Sequence, residues 1–345
     1  MIHRRLILLA VATALTLSLV GCDLLGSDSD DDTSVTSGVF VANQGQFMQG
    51  NGSVSVYNPQ TDTVSSPAIA GLNSIVQSIA LRDDQLYVTA NTGGRLDVFS
   101  TSSFDQVGQT VNQMPSPRYV AFVGNQKAYV THLFDDISVV DLASNTVTDT
   151  IVTGGSPEGI TVAGNRAYAA LGAFGASSEV AVVDPRADTV TTTIDLGCTA
   201  RFVLSDADGE VFALCNNDQT GEAVVLDGTQ EQTRLPLPDS VQTRGPGQDA
   251  HYAPNAEVIH VVVSKDRLVR INTATNEIAS TIGPLGGAPI GAVGYVANRQ
   301  ELYVGRVPSV TEEGRVTIHE RDGEQTGAFP AGVIPTYITF RQLQQ

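Results

Sequence analysis

The stretch at residues 128–157, AYVTHLFDDISVVDLASNTVTDTIVTGGSP, recurs in weakened copies along the chain. Each copy joins an aromatic set among small or apolar residues, a variable loop, a run of the Val-Ser-Val-x-Asp kind, a short Thr/Val segment and a Gly-Pro step. The aromatic or its stand-in falls at Phe40, Tyr87, Tyr129, Tyr168, Phe212, His260 and Tyr303, at gaps of 47, 42, 39, 44, 48 and 43 residues. A unit this short cannot bury a core alone, so neighbouring copies must stack. A period in the low forties filled with β-type runs specifies propeller blades.

Alternation of apolar and polar residues divides each copy into four strands, a to d. In the third copy they fall at 119–123, 128–131, 137–141 and 146–151. The c–d turns, such as Asn58-Pro59-Gln60 and Asp184-Pro185-Arg186, hold residues that accept turn geometry or bond their own backbone. Asp141 and Asp184 read as caps of these turns rather than as paired catalytic acids. The first copy opens on strand b, at 38–42, with no strand a before it. The stretch 335–340 matches the strand a pattern that follows Pro117 and Pro157. The expected fold is all-β: a single seven-bladed β-propeller of four-stranded blades over residues 37–345. Its C-terminal strand completes the first blade, which removes two open sheet edges.

Asp and Glu number 37 against 19 Lys and Arg, for a formal charge of −18, and the only lysines are Lys127 and Lys265. Such a surface repels polyanions, so no nucleic-acid partner is expected. At the N-terminus, Arg4 and Arg5 precede an apolar run, 6–19, too short for a comfortable membrane span. The run ends in Leu19-Val20-Gly21-Cys22, which resembles the bacterial lipobox. The resemblance implies a signal peptide at 1–21 and an acylated Cys22 anchoring the chain to a lipid bilayer. Residues 22–36, with Ser27-Asp28-Ser29-Asp30-Asp31-Asp32, read as an acidic disordered tether. The expected location is the bacterial cell envelope, with the outer membrane or cell surface favoured over the inner membrane.

The WD40 signature is absent, and so is Trp. At "YVTA" (87–90), "YVTH" (129–132) and "SVVDLASNTVTDTI" (138–151) the chain instead resembles the YncE-like propellers with Tyr-Val-Thr-Asn repeats, over nearly the whole mature length. One group of lipoprotein propellers within that family sits beside a TonB-dependent outer-membrane transporter and captures corrinoids such as vitamin B12. That implies a cobalamin-like ligand and a TonB-dependent transporter as partner.

The departures from the repeat mark where function belongs. The b–c loops vary most and carry Phe47, Met48, His132, Phe134 and Phe174, with Arg306 opening the seventh. An apolar side chain on a Gly-flanked loop tip is costly in water unless it packs or binds. The d–a junctions bring Arg118, Tyr119, Arg201, His251, Tyr252 and Tyr337 towards the same face. Arg and Tyr supply planar donors and flat apolar area, as recognition surfaces do. These twelve residues are the ligand-binding candidates, each weighed against a plain structural role.

Cys198 and Cys215 flank a hairpin turning at Asp206-Ala207-Asp208-Gly209. Pairing about that turn sets Cys215 opposite Ala200 and makes a Cys198–Cys215 disulfide sterically plausible. The five histidines show no metal-ligand spacing. The Asp206 run begins like a calcium loop but lacks the downstream Glu. Neither a metal nor a cofactor is expected. No nucleophile elbow, P-loop or dinucleotide fingerprint occurs. The leading reading is a non-catalytic ligand- or protein-binding envelope lipoprotein. The alternatives are a surface scaffold or adhesion protein, and a propeller enzyme of the lactonase or quinoprotein kind.

Overall fold

A computed structural model describes residues 34–134, 136–217, 220–241 and 247–344. The signal peptide, Cys22 and residues 22–33 of the tether lie outside the described residues.

The chain forms seven antiparallel blades. In a-to-d order, blade one holds Pro335–Gln344, Ser34–Asn43, Ser53–Asn58 and Thr63–Ile69. Blade three holds Pro117–Val123, Lys127–His132, Ile137–Asp141 and Thr146–Ile151, and blade four Ile160–Ala163, Arg166–Ala170, Glu179–Asp184 and Thr189–Asp195. Blade five holds Thr199–Ser205, Val211–Asn216, Gly221–Asp227 and Gln230–Pro236, and blade six Ala250–Ala253, Val258–Val263, Arg267–Asn272 and Glu277–Ile282. Blade seven holds Ile290–Val296, Glu301–Arg306, Glu313–Glu320 and Gln325–Val333. Blade two has three regular strands, Val76–Arg82, Gln85–Ala90 and Arg95–Ser100. Its outer position is filled by an irregular segment bridging Leu96 to Val111 and Phe99 to Gln106. Successive a strands touch all the way round, so the blades close into a ring.

The last strand does complete the first blade. Pro335–Gln344 pairs antiparallel with Ser34–Asn43, setting Ile338 opposite Val41 and Thr339 opposite Phe40. The pairing continues to Ser34↔Gln344, so the strand starts at Ser34, inside the segment expected to be tether up to residue 36. The long C-terminal strand supplies backbone partners for those extra residues.

The repeat aromatics explain themselves in the packing. Phe40, Tyr87, Tyr129, Tyr168, Phe212, His260 and Tyr303 are all buried on the b strands, between blades. The Tyr129 hydroxyl reaches across to Asp188 of blade four, where Lys127 also donates at 2.6 Å. The outer d strands of blades three and four are mostly exposed, as edges facing solvent should be. Asp141 Oδ1 accepts from Ser144 N and Asp184 Oδ1 from Arg186 N, so both acids cap turns.

Candidate functional site

Five of the seven blades enter their inner strand through the same local device. In blades two, three, five, seven and one the a–b register shifts at the first residues of strand a, leaving Gln77, Arg118, Arg201, Gly291 and Thr336 in or beside the irregular step. In blades four and six the matching residues precede the strand, Asp249 directly and Glu158 by two residues. Bulges re-aim side chains. Here all six that have a side chain are buried around the channel. They form a belt of alternating charge. Arg118 binds both oxygens of Glu158, at 2.9 and 2.8 Å, and donates on to Gln77. Arg201 pairs with Asp249 and donates to the Gly247 carbonyl at 3.0 Å. Burial pushes the Asp249 carboxyl up to about 6 against the pull of Arg201. Its Oδ2 has no hydrogen-bond partner among the described residues.

The next residue of each inner strand sets the channel's filling: Ser78, Tyr119, Gly159, Phe202, Ala250, Ala292 and Tyr337. Small side chains on four blades leave room for three aromatics from blades one, three and five. Tyr119 sits edge-on to Phe202 at 5.7 Å and 6.3 Å from Tyr337. Gly159 is required, since a Cβ there would lie 2.9 Å from the Phe202 backbone. What remains is a cavity of about 280 Å³ lined by Ser78, Tyr119, Phe202, Gln248, His251 and Tyr337, among others.

The loop face is chemically different. In a four-stranded meander the b–c and d–a connections share one side of the disc. Among the described residues, eight large apolar side chains are exposed, and six of them lie in those connections: Phe47, Met48, Phe134, Val152, Phe174 and Val310. Phe47 is 70% exposed, Met48 84% and Phe134 73%. The Phe134 and Phe174 rings, from adjacent blades, stack at 5.8 Å with 16° between their planes. Met48 (φ 66°) and Phe174 (φ 52°) both adopt the left-handed region, which disfavours bulky side chains by about 1 kcal/mol or more. Gly172 seats the Phe174 loop on blade five; a Cβ there would lie 2.0 Å from the Ala200 carbonyl oxygen. Gln46 Nε2 donates to Thr311 O at 3.1 Å, tying the Phe47–Met48 loop to the one bearing Val310.

The twelve candidates therefore divide. Phe47, Met48, Phe134 and Phe174 stand on the loop face. Arg118, Tyr119, Arg201 and Tyr337 turn into the channel. His132 is buried, with its ring nitrogens on Pro115 O (2.9 Å) and Ser138 Oγ (2.8 Å). Arg306 is buried on Thr317 Oγ1 at 3.1 Å and Ala288 O at 3.2 Å. His251 Nδ1 accepts from Tyr295 N at 3.3 Å, and burial holds its pKa down to about 4. The Tyr252 hydroxyl accepts from Ala207 N in an a–b turn, on the side opposite the loops. A one-residue bulge in strand a separates the two groups, and only the strand register reveals it. Val152 and Val310 join this face without a signal in the sequence, being isolated valines near strand ends.

Cys198 and Cys215 form a disulfide, with Cα atoms 5.6 Å apart and Ala200 opposite Cys215. Glu222 lies beside them with its carboxylate on Arg234 at 3.0 Å, so this cluster offers no thiolate to a metal. Asp206 Oδ1 accepts from Glu210 N, closing a hairpin turn. No helix among the described residues is long and apolar enough to cross a membrane.

A family model described as a domain of unknown function, DUF5074, matches residues 37–246, more than half of the chain. The chain belongs to this family. A solved structure of Kuenenia stuttgartiensis hydrazine synthase superposes on this DUF5074 protein with a TM-score of 0.64 at 16% identity, covering 78% of the chain and 95% of the other. At that identity the likeness shows the shared propeller fold alone. No curated protein matches the chain.

Proposed function

We propose that this DUF5074 protein is a non-catalytic binding propeller of the cell envelope, held to the bilayer through an acylated Cys22, which captures a bulky amphipathic ligand on its loop face. The observation that carries the reading is the gathering of six exposed apolar side chains on one face of an otherwise polar, strongly acidic disc. Two of them sit in a strained backbone conformation, which favours display over packing. Glu158 in the channel is fully engaged by Arg118 and Asp249 is bound to Arg201, which argues against paired catalytic acids there. The ligand that the YncE-like resemblance suggests is a corrinoid, delivered to a TonB-dependent outer-membrane transporter.

Calorimetric titration with cyanocobalamin tests the ligand, with saturable micromolar binding expected. The triple variant Phe47→Ser/Phe134→Ser/Phe174→Ser should lose that binding and keep the wild-type melt. No heat at micromolar concentrations removes the corrinoid. Unchanged binding by the triple variant removes the loop face as its site. Cys22→Ser should release the protein from the membrane fraction.

A further inference from the structure

Blades six and seven leave between them a cavity of about 800 Å³ on the side of the disc away from the loop face. Arg270, on the third strand of blade six, lies deep in its wall and is only 6% exposed. Its Nε donates to His260 Nε2 at 3.3 Å and its Nη2 to the Arg321 carbonyl at 3.1 Å. The guanidinium also lies 5.9 Å from the centre of the Tyr295 ring. Burial holds His260 well below the ordinary imidazole range, so this partner is neutral. Among the described residues no carboxylate lies within ion-pair distance of Arg270 or of Arg321.

Arg321 is exposed at the mouth, and Ser280, Thr281 and Thr326 line the wall, the Thr326 hydroxyl donating to the Ile318 carbonyl at 3.4 Å. Of the acids present, Glu301 is taken by Arg299 at 2.7 Å and by the Tyr303 hydroxyl at 2.6 Å. Glu320 and Asp322 stand exposed at the rim. A buried guanidinium with only neutral partners bears an uncompensated desolvation penalty. Its remaining donors match the planar oxygens of a carboxylate or phosphate. The acids of this cavity stand at its rim or on Arg299, so its inner end at Arg270 keeps an unneutralised guanidinium that a small anion would complement.

We infer that the cavity between blades six and seven binds a small molecule through a carboxylate or phosphate group, clamped by Arg270 and Arg321, with Ser280 and Thr281 of the wall beside it. Thermal melts of the whole protein with inorganic phosphate in one arm and citrate in the other, against sodium chloride at equal ionic strength, test it. A saturable rise in melting temperature beyond that in chloride is expected in at least one arm, and the responding arm names the anion class. Arg270→Met should weaken the response about tenfold or more, as loss of a charge-assisted bidentate contact does. Arg321→Gln, at an exposed position, should fold normally and weaken it too, so it decides the matter if Arg270→Met fails to fold. A response equal to that in chloride, or an undiminished one in Arg321→Gln, overturns the site. The loop-face triple variant should bind the anion as wild type does, which keeps this result separate from that of the corrinoid titration.

Discussion

The charged belt at the channel entrance makes a sharp prediction, because each of its arginines depends on a buried acid. Glu158→Gln keeps the size and planarity of the side chain but removes the charge from a pair whose members are 6% and 1% exposed. Arg118 would keep one acceptor in place of two carboxylate oxygens now at 2.8 and 2.9 Å, and would remain a buried cation. Breaking a buried pair from one side costs about 3–5 kcal/mol; since the amide retains one oxygen, about 3 is expected. For a chain of this length, with roughly 2 °C per kcal/mol, the melting temperature should fall by about 6 °C. Replacing the pair by Arg118→Met/Glu158→Leu should come within about 1–2 kcal/mol of wild type, because it removes both desolvation penalties together. The assay is urea unfolding of wild type, Arg118→Met, Glu158→Leu and the double, read as a double-mutant cycle, with Glu158→Gln measured alongside. A Glu158→Gln loss below about 1 kcal/mol, or a double variant no more stable than the sum of its singles, would refute the view that the belt holds itself together by pairing.

Removing the disulfide with Cys198→Ala/Cys215→Ala opens a loop of sequence separation 17 and should lower unfolding free energy by about 3 kcal/mol, measured by denaturant titration. Burial holds His251 at about 4 rather than 6.5, so between those pH values the folded state binds fewer protons than the unfolded chain. Stability should therefore be full above pH 6.5 and fall as pH drops through about 4; a ceiling near 3 kcal/mol follows from the shift, and about 2 is expected after allowance for its partial exposure. His251→Gln should flatten that limb in melts run across the range. Ile338→Ala, in the strand that closes the ring and fully buried against blade one, should cost about 2–5 kcal/mol, while an unchanged melt would deny the closure its stabilising role.

The repeat period alone determined that the chain folds as seven blades and that its last strand belongs to the first. This is so because the b-strand aromatics, from Phe40 to Tyr303, mark an interface that every blade must make with its neighbour. The loop residues Phe47, Met48, Phe134 and Phe174 were also legible, since an apolar residue among glycines, outside any alternation, has no strand to pack in. What only the tertiary structure decided is the direction of the d–a junctions. In sequence Arg118, Tyr119, Arg201 and Tyr337 follow Ser116-Pro117, Gly197-Cys198 and Ile334-Pro335, in the same d–a junctions that lead to the loop face. In the fold a bulge at the start of the inner strands of blades three, five and one turns them into the channel, where Glu158 and Asp249, 40 and 48 residues further along, neutralise the arginines. The cavity around Arg270 was hidden for the same reason. Its wall joins residues of two blades, and the lack of an acid beside that guanidinium exists only once blade seven is laid against blade six.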